Sequence, residues 1–213
     1  MIVVFVRDIM TPSPITIDHS TPVLEAIDIM KRHRIRQLPV TRQGQLVGLV
    51  TERELLTVSP SPATTLSIFE LNYLLSKMKV SEAMVKNPVT VGPDTTIEQA
   101  ALIMRDQKIG SLLVTEKGQL VGIITQTDIF EALLRFFGLR RPGTRIVIET
   151  GDRIGLLAEI LQVVKEHRID VIGIACLNKD DHRVQIVLRL STAEPAALIA
   201  DLNQRGYPVV HVS

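Results

Sequence analysis

The sequence has few aromatic residues and almost no cysteine. Aromatic residues make up 3% of the 213 residues and tryptophan is absent, which removes the usual stacking surfaces for single-stranded nucleic acid. The one cysteine, Cys176, cannot form an internal disulfide. Because it lies in the apolar segment VIGIACL with no cationic neighbour in sequence, we expect a buried core residue and not a reactive thiol.

An excess of charge of either sign is also missing. The 24 basic and 23 acidic residues give a net charge of +1, so no overall field attracts nucleic acid or an anionic membrane. The basic segment KRHRIR is expected to be a solvated helix end, because no second basic stripe accompanies it. The N-terminal run MIVVFV stops at Arg7 and is too short for a signal sequence or a membrane-spanning helix. We therefore expect a cytoplasmic protein that binds neither nucleic acid nor membrane.

No catalytic constellation is recognisable. The sequence has no nucleophile motif and no glycine-rich phosphate loop of the P-loop kind. Its five histidines lie without metal-ligand spacing, at His19, His33, His167, His182 and His211. We therefore expect a protein that is not an enzyme, holds no metal and requires no cofactor.

The chain repeats itself once. An offset of 74 residues aligns residues 8–56 with residues 82–130 without a gap, and GQLVGLVTERE returns as GQLVGIITQTD. Each copy predicts an amphipathic helix, two short strands joined by a tight turn at Gly44 or Gly118, and a second helix. A unit of this size cannot bury both helical faces alone. We therefore expect the two copies to pack face to face with pseudo-twofold symmetry.

Two further segments complete the chain. TVSPSPATT predicts a loop and LSIFELNYLLSKMK a connecting helix. After Gly138, which suits the end of a helix, and the linker RRPG, the remaining sequence predicts the ferredoxin-like order β-α-β-β-α-β with a hairpin turn at NKDDH. The fold class is therefore mixed, α+β and α/β, with a pseudo-twofold pair of β-α-β-β-α repeats followed by the ferredoxin-like domain. The predicted segments are the first repeat 6–57, the connector 58–79, the second repeat 80–137 and a third domain 144–213.

The repeats resemble a tandem pair of CBS motifs, also called a Bateman module. The resemblance rests on the strands LPV and LLV, followed by GQLVGLVTERE and GQLVGIITQTD. Residues 144–213 resemble an ACT domain, chiefly through GDRIGLLAEILQVV, although Ile154 stands where that family often has proline. A CBS pair followed by an ACT domain is similar to the acetoin-utilisation AcuB family over nearly the whole chain.

The CBS resemblance implies a regulatory adenine nucleotide, AMP, ADP, ATP or a related adenosyl compound. Thr125 ends a strand and opens a helix, so its hydroxyl and the free N–H groups suit phosphate oxygens, and the Asp128 carboxylate suits the paired ribose hydroxyls. Adenine would lie against the strand IGSLLV. The predicted nucleotide-binding residues are Thr16, Ile17, Gln37, Leu38, Thr51, Arg53 and Glu54 in the first copy, and Thr90, Val91, Gly110, Ser111, Leu112, Thr125 and Asp128 in the second.

A simpler interpretation of the Thr and acid pairs stays open. TERE is a capping box of the form Thr-x-x-Glu, and TQTD is close to one, so both pairs can serve only to begin a helix. The copies also differ in charge, with Arg34, Arg36 and Arg53 in the first and Lys108, Gln126 and Thr127 in the second. We hypothesise that the first cleft accepts a more highly charged phosphate tail and that the second holds ribose better.

The ACT resemblance implies an amino-acid effector at Asp152, Gly155 and Leu156, beside Arg153. The alternative is a helix N-cap with close packing at Gly155. We expect a non-enzymatic sensor, a homodimer or larger, whose ACT domain mediates assembly or amino-acid sensing and which acts on an unknown protein partner. The AcuB resemblance implies a link to acetoin or central carbon metabolism. The alternative function is a structural assembly module with no ligand.

Overall fold

The computed structural model describes residues 5–58, 67–179 and 182–213, and the chain divides into two compact units, Met1–Ile129 and Phe130–Ser213. Most of the predicted loop TVSPSPATT lies outside the described residues, as do the two aspartates of the predicted NKDDH turn. Within those ranges, no helix is long and apolar enough to cross a membrane.

The predicted repeat is present as two matching sets of elements. The first set is Ile17–Asp18 (β2), Val23–His33 (α1), Gln37–Arg42 (β3), Gln45–Thr51 (β4) and Glu52–Val58 (α2). The second set is Thr90–Val91 (β6), Ile97–Gln107 (α5), Ser111–Glu116 (β7), Gln119–Thr125 (β8) and Gln126–Phe136 (α6). The remaining elements of this part are Thr11–Pro12 (β1), Ile68–Lys77 (α3), Val80–Ala83 (α4) and Val85–Lys86 (β5). The predicted connecting helix is thus confirmed as α3.

Both predicted hairpins have the same turn. Gln43 and Gly44 have φ angles of 51° and 78°, and Lys117 and Gly118 have 49° and 79°. Two successive positive φ values define a type I′ turn, whose twist matches that of the flanking strands, and glycine is favoured at the second position. The repeated GQ therefore encodes the turn and the return strand.

The first strand of each copy crosses into the sheet of the other copy. One sheet has the order β2-β3-β4-β5 and the other β1-β8-β7-β6, so β5 pairs with β4, and β1 pairs with β8. Gly48 and Gly122 make the crossing possible, because a Cβ at either position would overlap the sulfur of Met84 or Met10. The sequence predicted the symmetry but not this exchange.

Apolar side chains join the copies and fill each one. The predicted helical stripes are buried at Val23, Ala26 and Met30 and again at Ile97, Ala100 and Met104. A further cluster combines Leu49 of β4 with Leu113 and Ile123 of the second copy. Burial of side chains of this size is the main stabilising term in a fold. The two copies therefore share one packed junction.

The second unit contains the predicted β-α-β-β-α-β order. Its elements are Thr144–Gly151 (β9), Leu156–Glu166 (α7), Val171–Asn178 (β10), Arg183–Leu190 (β11), Ala196–Gln204 (α8) and Val209–Val212 (β12). All strand pairs are antiparallel in the order β10-β11-β9-β12. Its core includes Ile146, Ile148, Ile160, Ile186 and Leu188.

The structure corrects the expectation for Cys176, which is exposed and not buried. The residue lies in β10, which pairs with β11 alone in the described parts of the chain and is therefore an edge strand. Residues 174 and 176–178 of β10 are all exposed. An apolar run predicts a strand but does not show whether the strand lies at the centre or the edge of its sheet.

Candidate functional site

The predicted binding residues of each copy gather at one end of its sheet. Gln37, the first residue of β3, pairs with Thr51, the last residue of β4, and Ser111 pairs with Thr125 in the same way. In an antiparallel pair, residues directly opposite each other carry their side chains on the same face. The start of one strand, the end of the next and the first turn of a helix therefore meet at one place in each copy.

In the second copy, Thr125 and Asp128 form a closed cap at the start of α6. The backbone N–H and the hydroxyl of Thr125 donate to Asp128 Oδ2 at 2.8 and 2.7 Å, and the N–H of Asp128 donates to Thr125 Oγ1 at 3.3 Å. This is the reciprocal geometry of a capping box. Within the described ranges, no donor of the protein contacts Asp128 Oδ1. One carboxylate oxygen thus remains for another donor.

The first copy repeats the cap with a longer acid. The backbone N–H of Thr51 donates to Glu54 Oε2 at 3.1 Å, and the Thr51 hydroxyl donates to the same oxygen. Both acids therefore serve the cap, as the simpler interpretation of the sequence requires. Half-buried Glu54 and Asp128 still border solvent, so capping does not exclude contact with a ligand.

The apolar members of the predicted site are core residues. Leu38 and Leu112 have no exposed surface. Ile17, Val91 and Ser111 are also buried, whereas Thr16, Thr90 and Gly110 are exposed. A ligand at this end of the sheet would meet the exposed residues and the backbone, and the buried side chains support the strands beneath it.

The first copy has three arginines in the segments that adjoin its site, where the matching positions of the second copy hold one lysine. Arg34, Arg36 and Arg53 are all exposed, as is Lys108 of the second copy. Arg34 and Lys108 both end their helices with positive φ, 53° and 55°. The backbone at this point is therefore the same in the two copies, and the copies differ in the number of basic side chains. Three guanidinium groups suit a polyphosphate, because each presents several donors in a plane.

The third predicted site is an exposed loop before α7. Gly155 is the N-cap residue, with φ of 86° and no side-chain cap bond, and the Asp152 N–H donates to the His182 carbonyl at 2.8 Å. The predicted close packing at Gly155 is wrong, because a Cβ there would meet no atom within 4 Å. Glycine is favoured at this position because its backbone adopts a left-handed φ. Leu156 is buried in the core, whereas Asp152 and Gly155 are exposed.

A polar cluster that the sequence did not indicate follows this loop. Arg153 Nη1 donates to Glu159 Oε1 at 2.8 Å, and the Tyr207 hydroxyl donates to Glu159 Oε2 at 2.7 Å. The Tyr207 hydrogen bond and then that of Arg153 lower the pKa of Glu159, and the same carboxylate raises the pKa of Tyr207. Nothing in the sequence spacing signals this contact, because Tyr207 lies far along the chain from Glu159.

Comparison with known proteins identifies the repeated part. The CBS domain family matches residues 6–61 and 80–135, which is more than half the chain. A putative acetoin utilization protein (AcuB) from Vibrio cholerae is 28% identical with a TM-score of 0.53, over 65% of this chain and 96% of that one.

Two further solved structures contain bound ligands. CBSX2 of Arabidopsis thaliana, solved in complex with AMP, is 29% identical with a TM-score of 0.52, over 64% of this chain and 98% of that one. The CBS domain pair of protein MJ0100, solved with 5-methylthioadenosine and S-adenosyl-L-methionine, is 27% identical with a TM-score of 0.50, over 62% and 95%. Similar CBS pairs therefore bind adenosine-containing ligands.

Proposed function

The chain belongs to the CBS domain family, and from that membership we propose that it is a non-enzymatic sensor whose CBS pair binds an adenine nucleotide or a related adenosyl compound. The observation that supports this most strongly is the repeated site at the end of each sheet, together with the AMP bound to a similar CBS pair. A ligand acts on such a protein only through a difference in affinity between two arrangements. The regulated partner therefore contacts a surface that changes when the cleft fills.

We further propose the role of each residue at the site. Asp128 offers Oδ1 to a ribose hydroxyl while Oδ2 keeps the helix cap, and Glu54 does the same with a longer side chain. The arginines of the first copy receive phosphate oxygens. The alternative, an assembly module with no ligand, is favoured by the two helix caps, which give Thr51, Glu54, Thr125 and Asp128 a structural role without any ligand.

Thermal unfolding with ligands distinguishes these two functions. The full chain is melted alone and with AMP, ATP and S-adenosylmethionine, with GMP as a matched base control. A site at about 100 times its Kd adds roughly 2.7 kcal/mol to the free energy of unfolding, which raises the midpoint. If none of the adenosine compounds raises it, the assembly module is the correct function.

We propose that the second unit is an ACT-like domain that mediates self-association or binds a small metabolite such as an amino acid. Its β-α-β-β-α-β order and the exposed loop at Asp152 and Gly155 support this. An exposed sheet edge at β10, with Ile174 and Leu177 exposed, invites strand pairing with a second copy. Light scattering on the full chain tests the proposal, since a mass of one chain at working concentration contradicts a homodimer or larger assembly.

The AcuB-like neighbour extends the proposal to the cellular process. We propose a cytoplasmic role in acetoin or central carbon metabolism, supported by likeness to a protein with that printed name. Deleting the gene and following growth on acetoin tests this role directly. Unchanged growth on acetoin and on other carbon sources would contradict the proposed metabolic role without bearing on nucleotide binding.

A further inference from the structure

One amide group at the junction of the two copies has an unpaired atom. Gln37 begins β3, and its Oε1 is shielded from solvent without a hydrogen-bond donor in reach among the residues that the structure describes. A buried acceptor without a donor is costly, and native proteins keep few of them. The Gln37 amide therefore suggests a function beyond packing.

The same side chain reaches from the first copy to the second. Its Nε2 lies 3.7 Å from the point that a Cβ on Gly110 would occupy, an ordinary van der Waals contact. Gly110 is exposed, and its carbonyl accepts the N–H of Gln126 at 3.0 Å where α6 begins. Rotation about the last side-chain torsion exchanges the two amide atoms. Either an acceptor or a donor can therefore stand beside Gly110.

The repeat does not reproduce this arrangement in the first copy. Ser111 occupies the position of Gln37, and Arg36 occupies that of Gly110. The serine is too short to cross the same gap, and the arginine brings a side chain where Gly110 leaves the backbone open. The Gln37 contact is therefore particular to the second cleft.

We propose that Gln37 of the first copy is a ligand-contacting residue of the second cleft, where its amide hydrogen-bonds the edge of a purine base that lies against Gly110. This inference rests on the proposed nucleotide function. An amide fits the role because it offers one donor and one acceptor, and purine edges present both. The second cleft then combines Gln37 from one copy with Thr125 and Asp128 from the other.

The test is calorimetric titration of the full chain with AMP. Gln37→Ala lowers affinity about 3- to 10-fold, the loss typical of one hydrogen bond. Gly110→Ala is a second variant, because its methyl group separates the amide from the base while the nearest neighbour, at 3.7 Å, leaves room for it. Gly110→Ala lowers AMP affinity by a similar factor. The double variant Gln37→Ala/Gly110→Ala loses little more affinity than either single variant, because both remove the same hydrogen bond. Exposed Gln119 supplies the matched control, and Gln119→Ala leaves binding unchanged.

Double variants identify the cleft in which Gln37 acts. The loss from Gln37→Ala persists beside Glu54→Ala, which weakens the first cleft, and disappears beside Asp128→Ala at AMP concentrations where only the first cleft still fills. The reverse pattern, or unchanged binding in Gln37→Ala and Gly110→Ala, overturns the proposal. If the proposed nucleotide function itself is wrong, the unaltered chain binds no AMP at all. That result differs from an unchanged affinity in the variants, and it also removes the basis for this inference.

Discussion

The two halves of the CBS pair have nearly the same backbone and clearly different side chains at the site. Both have a type I′ turn, a left-handed helix end and a threonine that caps the second helix through an acid three residues later. The acid is Glu54 in one half and Asp128 in the other, and Gln37 and Arg36 stand where the second half has Ser111 and Gly110. The shared features build the fold, so the differing side chains are what distinguish the two proposed sites.

We expect the largest effect from substitutions at the two glycines where a strand of one copy crosses into the sheet of the other. Gly48→Val and Gly122→Val each place branched atoms against the methionine that enters from the other copy, and we expect a loss of about 1–3 kcal/mol or more in the free energy of unfolding. Urea unfolding of the full chain measures it. Gly92→Ala is the control, because a Cβ there meets nothing within 4 Å. Unchanged stability in either valine variant would show that the crossing strands do not hold the pair.

The next effect separates the halves by charge. Replacing Arg36 and Arg53 together by alanine removes two exposed cations from the first site, so we expect about a tenfold loss of ATP affinity and a smaller loss for AMP. Both losses shrink at high salt, because exposed charges are screened. Calorimetry with the two nucleotides measures this. Equal losses for ATP and AMP would contradict a polyphosphate role for the arginines.

A smaller effect concerns the two helix caps. Thr51→Ala and Thr125→Ala each remove a hydroxyl that bonds the acid three residues later, so each lowers the free energy of unfolding by about 1 kcal/mol, with the larger loss at Thr125, whose hydroxyl also accepts the Asp128 N–H. Serine in place of either threonine keeps the hydroxyl and most of the stability. Chemical denaturation compares the four variants. No loss in Thr125→Ala would contradict the capping role of its hydroxyl.

The smallest effect lies in the second unit and depends on pH. Hydrogen bonds from Tyr207 and Arg153 lower the pKa of Glu159 below its usual 4.5. A lowered pKa in the fold means that the carboxylate stabilises the unit above pH 4.5 and that this contribution disappears as the pH falls through the folded value. Glu159→Gln should therefore flatten the acid side of the stability curve and leave its shape near neutral pH unchanged. Urea unfolding across this pH range measures how the free energy of unfolding changes with pH. The same pH dependence in Glu159→Gln as in the unaltered chain would contradict this role of Glu159.

The sequence predicts what periodicity and turn chemistry control. The helical stripes through Met30 and Met104, the turns at Gly44 and Gly118 and the order of the second unit all follow from local patterns, and the structure confirms them. The exchanged strands β1 and β5 were not predicted, because each has two residues and is too short to show an alternation.

The features that could not be predicted from the sequence depend on contacts between residues that are far apart in the chain. Cys176 is exposed because β10 lies at the edge of its sheet, and the apolar run around it does not reveal that position. The reach of Gln37 to Gly110 depends on how the copies pack, since the residues are far apart in the chain. The membership of Thr125 and Asp128 in one site was predictable, because a helix cap fixes their spacing.

Titration of AMP into the unaltered chain, Asp128→Ala and Glu54→Ala under identical conditions is the decisive experiment for two unequal nucleotide sites. Hydrogen bonds to a charged group are worth about 1.5–3 kcal/mol, or roughly 10- to 100-fold in affinity. We expect the unaltered chain to bind AMP, and Asp128→Ala to lose affinity on this scale while Glu54→Ala loses less. Equal losses in the two variants, or no loss in Asp128→Ala, would contradict two unequal clefts.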